Sequence, residues 1–439
     1  MKKHVMFVSF PLLGHANQMI ALAQELVSRG YQVSFVIAEE ARDWLADTDA
    51  HFIPWNSRLG TNGEGIDDHK KDIWQRSSQE ASVWRGEKII WNELIDSYVV
   101  MYETLKPIVQ QYSPDILVID RAVTPAMDLA QQMNLPYIIH TRFLGNFVPA
   151  SSKYPRFGTS YSVHMNLWQR CLNFFRPYWL QLLFLPTTIK FNQVRRQCSN
   201  KKKLTDPMSQ RPMIVGTTFG IEFPRPLPPF VHLVGPILPK TIKPLSASLS
   251  QWLEEEKESK GVVYIAFGTL ATLETWQAKT LVEGLTDHRF RVLWSLRKNQ
   301  QHILPTLPSS FRIENFVSQQ AVLSHPAIRI FISHCGMNSI NEALYWGKPI
   351  LGLPLFGDQH YNATRIVDLG VGLKLDKQHF DSDEVRQKIT DIFSNVSYTE
   401  VTYGMSVLMK STGGRDKAAE IVENILFEGI SHRSSRSFE

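Results

Sequence analysis

The stretch ENFVSQQAVLSHPAIRIFISHCGMNSINEALYWGKPILGLPLFGDQ, residues 314–359, decides the fold because a strand, a tight turn and a helix follow one another in it. Residues 328–333 form a short β-branched and aromatic run, which predicts a buried parallel strand. After a short turn, residues 337–346 have helical composition. Gly347 followed by Pro349 is typical of a helix end. This order of elements indicates a parallel α/β sheet.

The start of the predicted helix is suited to binding a phosphate. Asn338 and Ser339 fall in its first turn, where backbone N–H groups are unpaired and the helix dipole favours an anion. Glu342 lies four residues after Asn338, so it shares the same face one turn along and could accept a hydrogen bond from a ribose hydroxyl. The alternative interpretation is a capped helix that binds no ligand.

Polar residues stand at the carboxyl ends of several predicted strands. His15 lies past the strand predicted at residues 4–10, and Asp120 ends the strand predicted at residues 115–119. Ligands of open α/β sheets bind at this edge, so these positions predict a site. The positions that match them in the second half of the chain are Thr269, Ser295, His334 and Asp358.

His15 is the candidate general base. A histidine pKa lies near neutrality, which suits the removal of a proton from a hydroxyl as a new bond forms. Asp120 could hydrogen-bond the other ring nitrogen, fix the tautomer and stabilise the imidazolium. The competing interpretations are a loop or capping histidine for His15 and a helix N-cap for Asp120.

The length of 439 residues favours two domains. Two strand–turn–helix series are separated by a proline-dense stretch at residues 224–244, which excludes a helix there. We therefore predict a Rossmann-like domain over residues 1–236, a linker over 237–248, a second Rossmann-like domain over 249–428 and a loose polar tail over 429–439. Two insertions in the first half, from Asn56 to Lys106 and from Arg142 to about Leu204, are where specificity for a ligand is expected.

Composition excludes several other classes of protein. A formal net charge of +5 without a long basic block argues against nucleic-acid binding, and the basic cluster of Arg195, Arg196 and residues 201–203 is interpreted as a solvated loop. The three cysteines show neither a disulfide framework nor metal-ligand spacing. The apolar N-terminus is interrupted at Gly14 and lacks a small-residue cleavage site, so we expect a first strand, not a signal peptide, and a cytoplasmic protein.

Residues 314–359 resemble the nucleotide-sugar signature box of the family 1 glycosyltransferases, which include plant, animal and bacterial UDP-sugar transferases. The family pattern usually opens with Trp-Ala-Pro-Gln, whereas this chain has Phe316-Val317-Ser318-Gln319. Residues 14–17 and 117–120 look like the positions that hold the catalytic dyad of the family. The resemblance implies an α/β protein of the GT-B fold, in which two Rossmann-like doubly wound domains face each other across the active-site cleft. The matching residues are Gln319, Val322, Leu323, His325, Pro326, His334, Cys335, Gly336, Asn338, Ser339, Glu342, Gly347, Pro349, Pro354, Leu355, Phe356, Asp358 and Gln359.

The resemblance also implies roles for the donor-binding residues. The UDP diphosphate would be held by His334 and the helix start, with Gly268 and Thr269 approaching from the neighbouring strand. Glu342 would bind the ribose hydroxyls. In the family, a glutamine at the last box position usually accompanies glucose. The implied donor set is Gly14, Gly268, Thr269, Ser295, Phe316 (stacking on uracil), Val317 and Gln319 (on the uracil edge), His334, Gly336, Asn338, Ser339, Glu342, and Asp358 and Gln359 (on the sugar).

No metal or cofactor is expected, and the UDP-sugar is a co-substrate. Residues 47–49 fit the Asp-x-Asp pattern with which a different glycosyltransferase fold holds manganese, but a solvated loop is the preferred interpretation because that fold's context is missing. A helix dipole and His334 can offset diphosphate charge without a metal.

The sequence thus predicts an inverting transferase that moves a hexose, with glucose preferred, from a UDP-sugar to a hydroxyl of a hydrophobic small molecule. The identity of the acceptor and the oligomeric state stay open. The expectation of an apolar acceptor rests on the aromatic residues of the two insertions, which are Trp74, Trp84, Trp91, Phe143, Phe147, Trp168, Phe174, Phe175 and Trp179.

Two alternatives remain at this point. Residues 167–185 mix apolar and aromatic residues with two arginines and could lie on a membrane surface, which would suit a membrane-peripheral transferase with a lipid or sterol acceptor. Arg170, Arg176 and Pro177 argue against a spanning helix. In a different class, the chain could be a catalytically silent protein that binds a nucleotide sugar and supports a partner, although the presence of both His15 and Asp120 counts against this.

Overall fold

A computed structural model describes residues 2–57, 83–145, 147–148, 150–198, 205–255, 261–268, 272–286 and 290–435. The chain folds into two compact units. Unit 1 comprises Met1–Ser152, Cys171–Lys240 and Thr412–Glu439, and unit 2 comprises Lys153–Arg170 and Thr241–Ser411.

Unit 1 is built on a parallel sheet that has seven strands within the described residues, in the order β3-β2-β1-β4-β5-β6-β7. Every residue of β1, β4 and β5 is buried, as expected for strands that are covered by helices on both faces. The strands are β1 (His4–Val8), β2 (Gln32–Ile37), β3 (His51–Pro54), β4 (Ile116–Asp120), β5 (Tyr137–Thr141), β6 (Met213–Val215) and β7 (Val231–Leu233).

Unit 2 repeats this design with a second parallel sheet, which has six strands in the described part of the chain, in the order β10-β9-β8-β11-β12-β13. Its central strands are again largely apolar and buried, with Arg329 of β11 exposed, and the rings of Tyr264 and Phe331 stack between neighbouring strands. The strands are β8 (Val262–Ala266), β9 (Arg291–Ser295), β10 (Phe311–Glu314), β11 (Ile328–Ser333), β12 (Ile350–Gly352) and β13 (Gly372–Lys374).

Helices connect most of these strands. Short 3₁₀ helices lie at Glu39–Leu45 and Lys298–Ile303. The α-helices are α1 (Leu13–Ser28), α2 (Val83–Asp96), α3 (Tyr98–Tyr112), α4 (Thr124–Gln132), α5 (Leu167–Leu183), α6 (Leu185–Cys198), α7 (Ala247–Glu254), α8 (Thr275–Leu285), α9 (Gln319–Ser324), α10 (Met337–Tyr345), α11 (Gln359–Asp368), α12 (Ser382–Ser394), α13 (Val396–Ser411) and α14 (Gly414–Ser435).

Each sheet reverses its direction of growth once, near its centre. In unit 1 the chain adds β2 and β3 on one side of β1 and then returns to place β4 on the other side. In unit 2 it adds β9 and β10 on one side of β8 and then places β11 on the other. Such a switch point leaves a crevice at the carboxyl edge of the sheet, where ligands bind. The predicted α/β class and doubly wound topology are confirmed.

The predicted domain limits are wrong for the C-terminal helix. Residues of α14, including Ala418 and Val422, share a buried core with Leu22 of α1, so this helix belongs to unit 1 and not to the second domain. Its charged face adds an ion pair between Arg29 and Glu423 at 2.8 Å. The tail predicted from residue 429 as loose is helical through Ser435.

The limits are also wrong for Lys153–Arg170, which the prediction placed in the first domain but which belong to unit 2. This segment is anchored on α11, because the Asp368 carboxylate accepts hydrogen bonds from the Ser162 hydroxyl at 2.6 Å and from the Val163 N–H at 3.0 Å. The chain leaves unit 1 after Lys240, which falls inside the predicted linker over residues 237–248.

The insertion that begins at Arg142 is not irregular throughout, because it contains α5 and α6. Arg195, interpreted from sequence as solvated, is only 5% exposed and donates two hydrogen bonds of 2.7 Å to Asp128 on α4. The Tyr98 hydroxyl of α3 donates to the same carboxylate. This buried cluster ties α6 to α3 and α4.

We expect Arg195→Met to lower the free energy of unfolding by about 3–5 kcal/mol, because it leaves the Asp128 carboxylate buried without its cationic partner. Arg196→Met is the matched control, since Arg196 is the next residue of the same helix and is exposed. It should change stability by no more than about 0.5 kcal/mol. Urea unfolding of both variants checks this, and equal effects would contradict the role assigned to the cluster.

Candidate active site

The switch point of unit 1 brings His15 and Asp120 together. His15 lies in the first turn of α1, which follows β1, and Asp120 is the last residue of the neighbouring strand β4. The Nδ1 atom of His15 lies 2.8 Å from Oδ2 of Asp120, and Oδ1 of Asp120 accepts the Ala122 N–H at 2.8 Å. The sequence-based pairing of these two residues is therefore confirmed in geometry, although His15 is helical and not part of a loop.

The environment of the pair sets its charge. Burial lowers the pKa of His15 below its usual value, and the nearby Arg142 guanidinium lowers it further, while Asp120 acts in the opposite direction. Burial alone would raise the pKa of Asp120. His15 outweighs this effect through electrostatic attraction and a hydrogen bond, and the hydrogen bond from the Ala122 N–H adds to it, so the pKa of Asp120 lies below its usual range. An ionised Asp120 requires the proton of a neutral His15 on Nδ1, which leaves the lone pair on Nε2.

Arg142, which sequence reasoning did not single out, lies directly at that lone pair. It follows β5, and its Nη2 atom is 3.0 Å from Nε2 of His15, while Nη1 donates to the Gly14 carbonyl at 3.2 Å. The feature of the sequence that could have identified Arg142 is its position directly after β5, the strand next to β4. Gly14 thus contacts the guanidinium and lies beside the His15–Asp120 pair, not in unit 2 with the other predicted donor residues.

A second pair of polar side chains holds α1 against the sheet. Gln18, one turn after His15, accepts a hydrogen bond through Oε1 from Nε2 of His140 at 3.0 Å and donates through its own Nε2 to the Gly216 carbonyl at 3.2 Å. Burial lowers the pKa of His140 to about 4, so this histidine is neutral near pH 7 and Gln18 accepts from it. A Cβ at Gly216 would lie 1.7 Å from the Gln18 amide oxygen, so a larger residue there would displace the Gln18 amide from these contacts.

The switch point of unit 2 brings Gly268, His334 and Gly336 together. His334 directly follows β11, and burial lowers its pKa to about 4, so it is neutral near pH 7. A Cβ at Gly336 would lie 2.5 Å from Nε2 of His334, and one at Gly268 would lie 2.9 Å from Cε1. Only glycines let the two loops approach the imidazole this closely. Between the histidine and Gly336, Cys335 adopts a left-handed φ of 64°, a strained conformation of the kind found at functional sites.

The start of α10 lies beside this histidine, as predicted. Gly336 is its N-cap, and Asn338 and Ser339 occupy its first turn. The side-chain amide of Gln319 binds both Ser339 and Glu342. Its Nε2 atom donates to the Glu342 carboxyl at 2.7 Å and to the Ser339 hydroxyl at 3.3 Å. Gln319 therefore contacts the residue predicted to bind ribose. Burial raises the pKa of Glu342 to about 7, and the Gln319 hydrogen bond opposes this only partly.

The remaining predicted donor residues occupy the same edge of the second sheet or the loop ahead of α9. The Phe316 ring is 74% exposed, as a stacking platform requires, and Val317 is buried. Ser295 ends β9, next to β8. Thr269 lies outside the described residues.

Asp358 and Gln359 stand at the start of α11. Asp358 is its N-cap residue and accepts the Asn362 side-chain amide at 2.8 Å. The amide oxygen of Gln359 accepts the backbone N–H groups of Leu355 at 2.9 Å and Phe356 at 3.0 Å. Because the amide oxygen already accepts these two backbone hydrogen bonds, the NH₂ group is the part of the Gln359 side chain that is suited to bind a ligand.

Comparison with solved structures identifies the class. The glycosyltransferase of kitacinnamycin matches with a TM-score of 0.71 and 19% identity over 97% of this chain and 99% of that one. A UDP-glucosyltransferase from Polygonum tinctorium matches with a TM-score of 0.67 and 19% identity over 97% of this chain and 99% of that one. The chain therefore has the GT-B fold.

Sequence comparison identifies the family. The family model described as UDP-glucoronosyl and UDP-glucosyl transferase matches residues 8–426, so the chain belongs to this family. UDP-glycosyltransferase 1 of Phaeomoniella chlamydospora is 32% identical over 78% of this chain and 74% of its own length. Human UDP-glucuronosyltransferase 2B17 is 26% identical over 88% of this chain and 77% of its own length.

The protein is accordingly an enzyme that transfers a sugar from a UDP-sugar, and the interpretation as a catalytically silent partner protein is set aside. Among the described residues, no helix is long and apolar enough to cross a membrane.

The buried carboxyl of Glu342 gives a pH-dependent prediction. Its pKa rises from 4.5 to about 7 on folding, so ionisation costs stability progressively as the pH rises from 4.5 through 7. We expect Glu342→Gln, which removes that ionisation, to raise the free energy of unfolding by about 3 kcal/mol at pH 8 and to change it little at pH 4.5. Chemical unfolding at both pH values measures the difference.

Glu400→Gln is the control for this experiment, because Glu400 is exposed on α13, and it should change the free energy of unfolding by no more than about 0.5 kcal/mol at either pH. A wild-type protein that is more stable than Glu342→Gln at pH 8 would show that the carboxylate is stabilised in the fold.

Proposed function

We propose that the enzyme is an inverting glucosyltransferase that moves glucose from UDP-glucose onto a hydroxyl of a hydrophobic small molecule. The observation that carries the proposal is the 2.8 Å contact between His15 and Asp120 at the switch point of unit 1. The family supplies the donor class, and this pair supplies the group that activates an acceptor.

In the proposed mechanism, Nε2 of His15 takes the acceptor proton while Asp120 stabilises the imidazolium that forms. The acceptor oxygen attacks the anomeric carbon from the side opposite the diphosphate, so a single displacement inverts the configuration at that carbon. UDP leaves with the bonding electrons on its β-phosphate oxygen. The N–H groups at the start of α10 and the neutral His334 would donate hydrogen bonds to that diphosphate, and no metal is needed in this proposal.

Glucose is proposed as the sugar because of the pair at the start of α11. The Asp358 carboxylate offers acceptors, and the Gln359 NH₂ group offers donors, which together suit the neutral hydroxyls of a hexose. Glucuronic acid, named for several relatives, is the competing sugar, and its carboxylate would face the charge of Asp358.

A specific observation supports a second candidate, a membrane-peripheral transferase with a lipid or sterol acceptor. Helix α5 exposes a large apolar surface, with Trp168 at 70%, Phe175 at 61% and Leu182 at 72% exposure. Aromatic and leucine side chains exposed together on one helix are typical of a surface that meets a partner or a membrane interface. In this candidate the same chemistry takes place at a membrane surface. The cytoplasmic location stays a prediction.

We expect His15→Ala to lower kcat for acceptor-dependent UDP release from UDP-glucose by about 10²–10⁴-fold, because it removes the general base. His51→Ala, at an exposed histidine of the same unit, should leave turnover unchanged. The assay uses phenolic, sterol and lipid acceptors in the presence of EDTA, with UDP-glucuronic acid as the parallel donor. Full turnover in His15→Ala would refute the base assignment, and loss of wild-type turnover in EDTA would refute the metal-free mechanism.

The membrane candidate predicts that turnover of a lipid acceptor rises when liposomes are added and that Phe175→Glu or Trp179→Glu abolishes this rise. A charge on the exposed apolar surface costs free energy at a membrane but little in water. Turnover of a water-soluble acceptor by the same variants is the control and should match wild type. An unchanged response to liposomes in both variants would exclude α5 as the contact.

A further inference from the structure

Arg142 occupies the position where an acceptor must approach the proposed base. A guanidinium has donors only, so its Nη2 atom donates to the lone pair of His15 Nε2 at 3.0 Å. This is the nitrogen that takes the acceptor proton in the proposed mechanism. An oxygen that hydrogen-bonds to this lone pair must displace the guanidinium from it, and a positive charge then lies beside that oxygen.

The guanidinium has no anionic hydrogen-bond partner of its own in the described part of the chain. It donates to the neutral His15 ring and to the Gly14 carbonyl, while Asp120 is engaged by His15 and by a backbone N–H. A half-buried arginine whose hydrogen bonds go to neutral groups can gain a charge-assisted hydrogen bond from an incoming oxygen that carries negative charge.

The surroundings of Arg142 are aromatic and positively charged. The Arg142 Cζ atom lies 5.9 Å from the ring centroid of Phe143, and Arg121 lies 4.2 Å from that of Phe147 and 5.5 Å from that of Phe143. This arrangement fits an aromatic ring whose attached oxygen becomes anionic.

We propose that Arg142 is an acceptor-binding residue that selects phenolic hydroxyls, by donating a hydrogen bond to the reacting oxygen as that oxygen gives its proton to His15. The phenolic O–H proton moves to Nε2, the oxygen lone pair forms the bond to the anomeric carbon, and the bond from that carbon to UDP breaks. Arg142 stays protonated throughout and exchanges its hydrogen bond with His15 for one with the substrate. The proposal rests on the proposed function and deepens it by naming the acceptor class.

Phenols fit this arrangement better than the other hydroxyl classes. A base weakened by burial and by a neighbouring cation accepts a proton most readily from an acidic donor, and a phenol has a pKa of about 10, against about 16 for a water-like hydroxyl. A carboxylic acid would pair with Arg142 but is already ionised near pH 7, so it would leave the His15–Asp120 pair without a proton to take.

The test compares acceptor classes in wild type, Arg142→Gln and Arg142→Lys. We expect wild type to favour substituted phenols over cyclohexanols of matched shape, and Arg142→Gln to lose about 100-fold in kcat/KM on phenols and at least tenfold less than that on cyclohexanols. Arg142→Lys should recover part of the loss, because lysine restores the positive charge but not the planar guanidinium with its several N–H donors. The acid limb of the pH profile should move to higher pH in Arg142→Gln, since removing the cation raises the pKa of His15.

A binding measurement separates this proposal from the proposed function. The ionisation of bound 4-nitrophenol, followed by its absorbance without any donor sugar, should shift to lower pH in wild type and not in Arg142→Gln. Arg196→Gln is the control for the loss of an exposed arginine. If the shift is present but no glucose is transferred, the proposed function fails and the role of Arg142 stands. An equal loss on phenols and cyclohexanols, or no shift of the bound phenol, would overturn the role of Arg142.

Discussion

The reversal of strand order in a parallel sheet is the constraint on which both candidate sites depend. Crossover connections on either side of the reversal lead away from each other, so the loops at the two central strands are left facing an open crevice. In unit 1 the register of β1 with β4 pairs Val8 with Ile119, and in unit 2 that of β8 with β11 pairs Ala266 with Ser333. Asp120 and His334, two of the predicted site residues, directly follow these pairs.

The two crevices use the same geometry for different purposes. Unit 1 places a charged carboxylate and an imidazole in contact, and long side chains such as Gln18 hold the helix that carries the histidine. Unit 2 instead has two glycines, Gly268 and Gly336, next to His334. Because they lack side chains, they leave room around the imidazole beside the backbone N–H groups at the start of α10. Cys335, which lies between His334 and Gly336 and has a left-handed backbone conformation, is held by the Asn362 side-chain amide, which donates to the Cys335 carbonyl at 3.0 Å. These contacts suit the first crevice to the proposed proton transfer and the second to the proposed binding of an anion.

The sequence allowed the central strands, the helix start of the signature stretch and the His15–Asp120 pair to be predicted, because short-range periodicity and strand ends carry that information. It did not allow contacts between distant elements to be predicted. Arg195 belongs to α6, a helix that is only weakly amphipathic, so its sequence does not show which residues are buried. Only the folded structure places Asp128 beside Arg195. The return of α14 to unit 1 depends in the same way on long-range packing, and although Arg142 directly follows a strand, its contact with His15 is seen only in the structure.

Charge is distributed unequally between the two sites, and this follows from how each is buried. Asp120 remains ionised in unit 1 because His15 and a backbone N–H compensate its desolvation. In unit 2, burial favours the neutral forms of His334 and Glu342, whose pKa values are about 4 and about 7. A neutral imidazole and helix-start N–H groups bind an anion through dipoles, which need no counter-charge when the ligand leaves. If unit 2 holds the nucleotide as proposed, such dipoles suit a ligand that must be released after each turnover better than a buried fixed charge would, whereas the proposed base in unit 1 needs its carboxylate throughout the cycle.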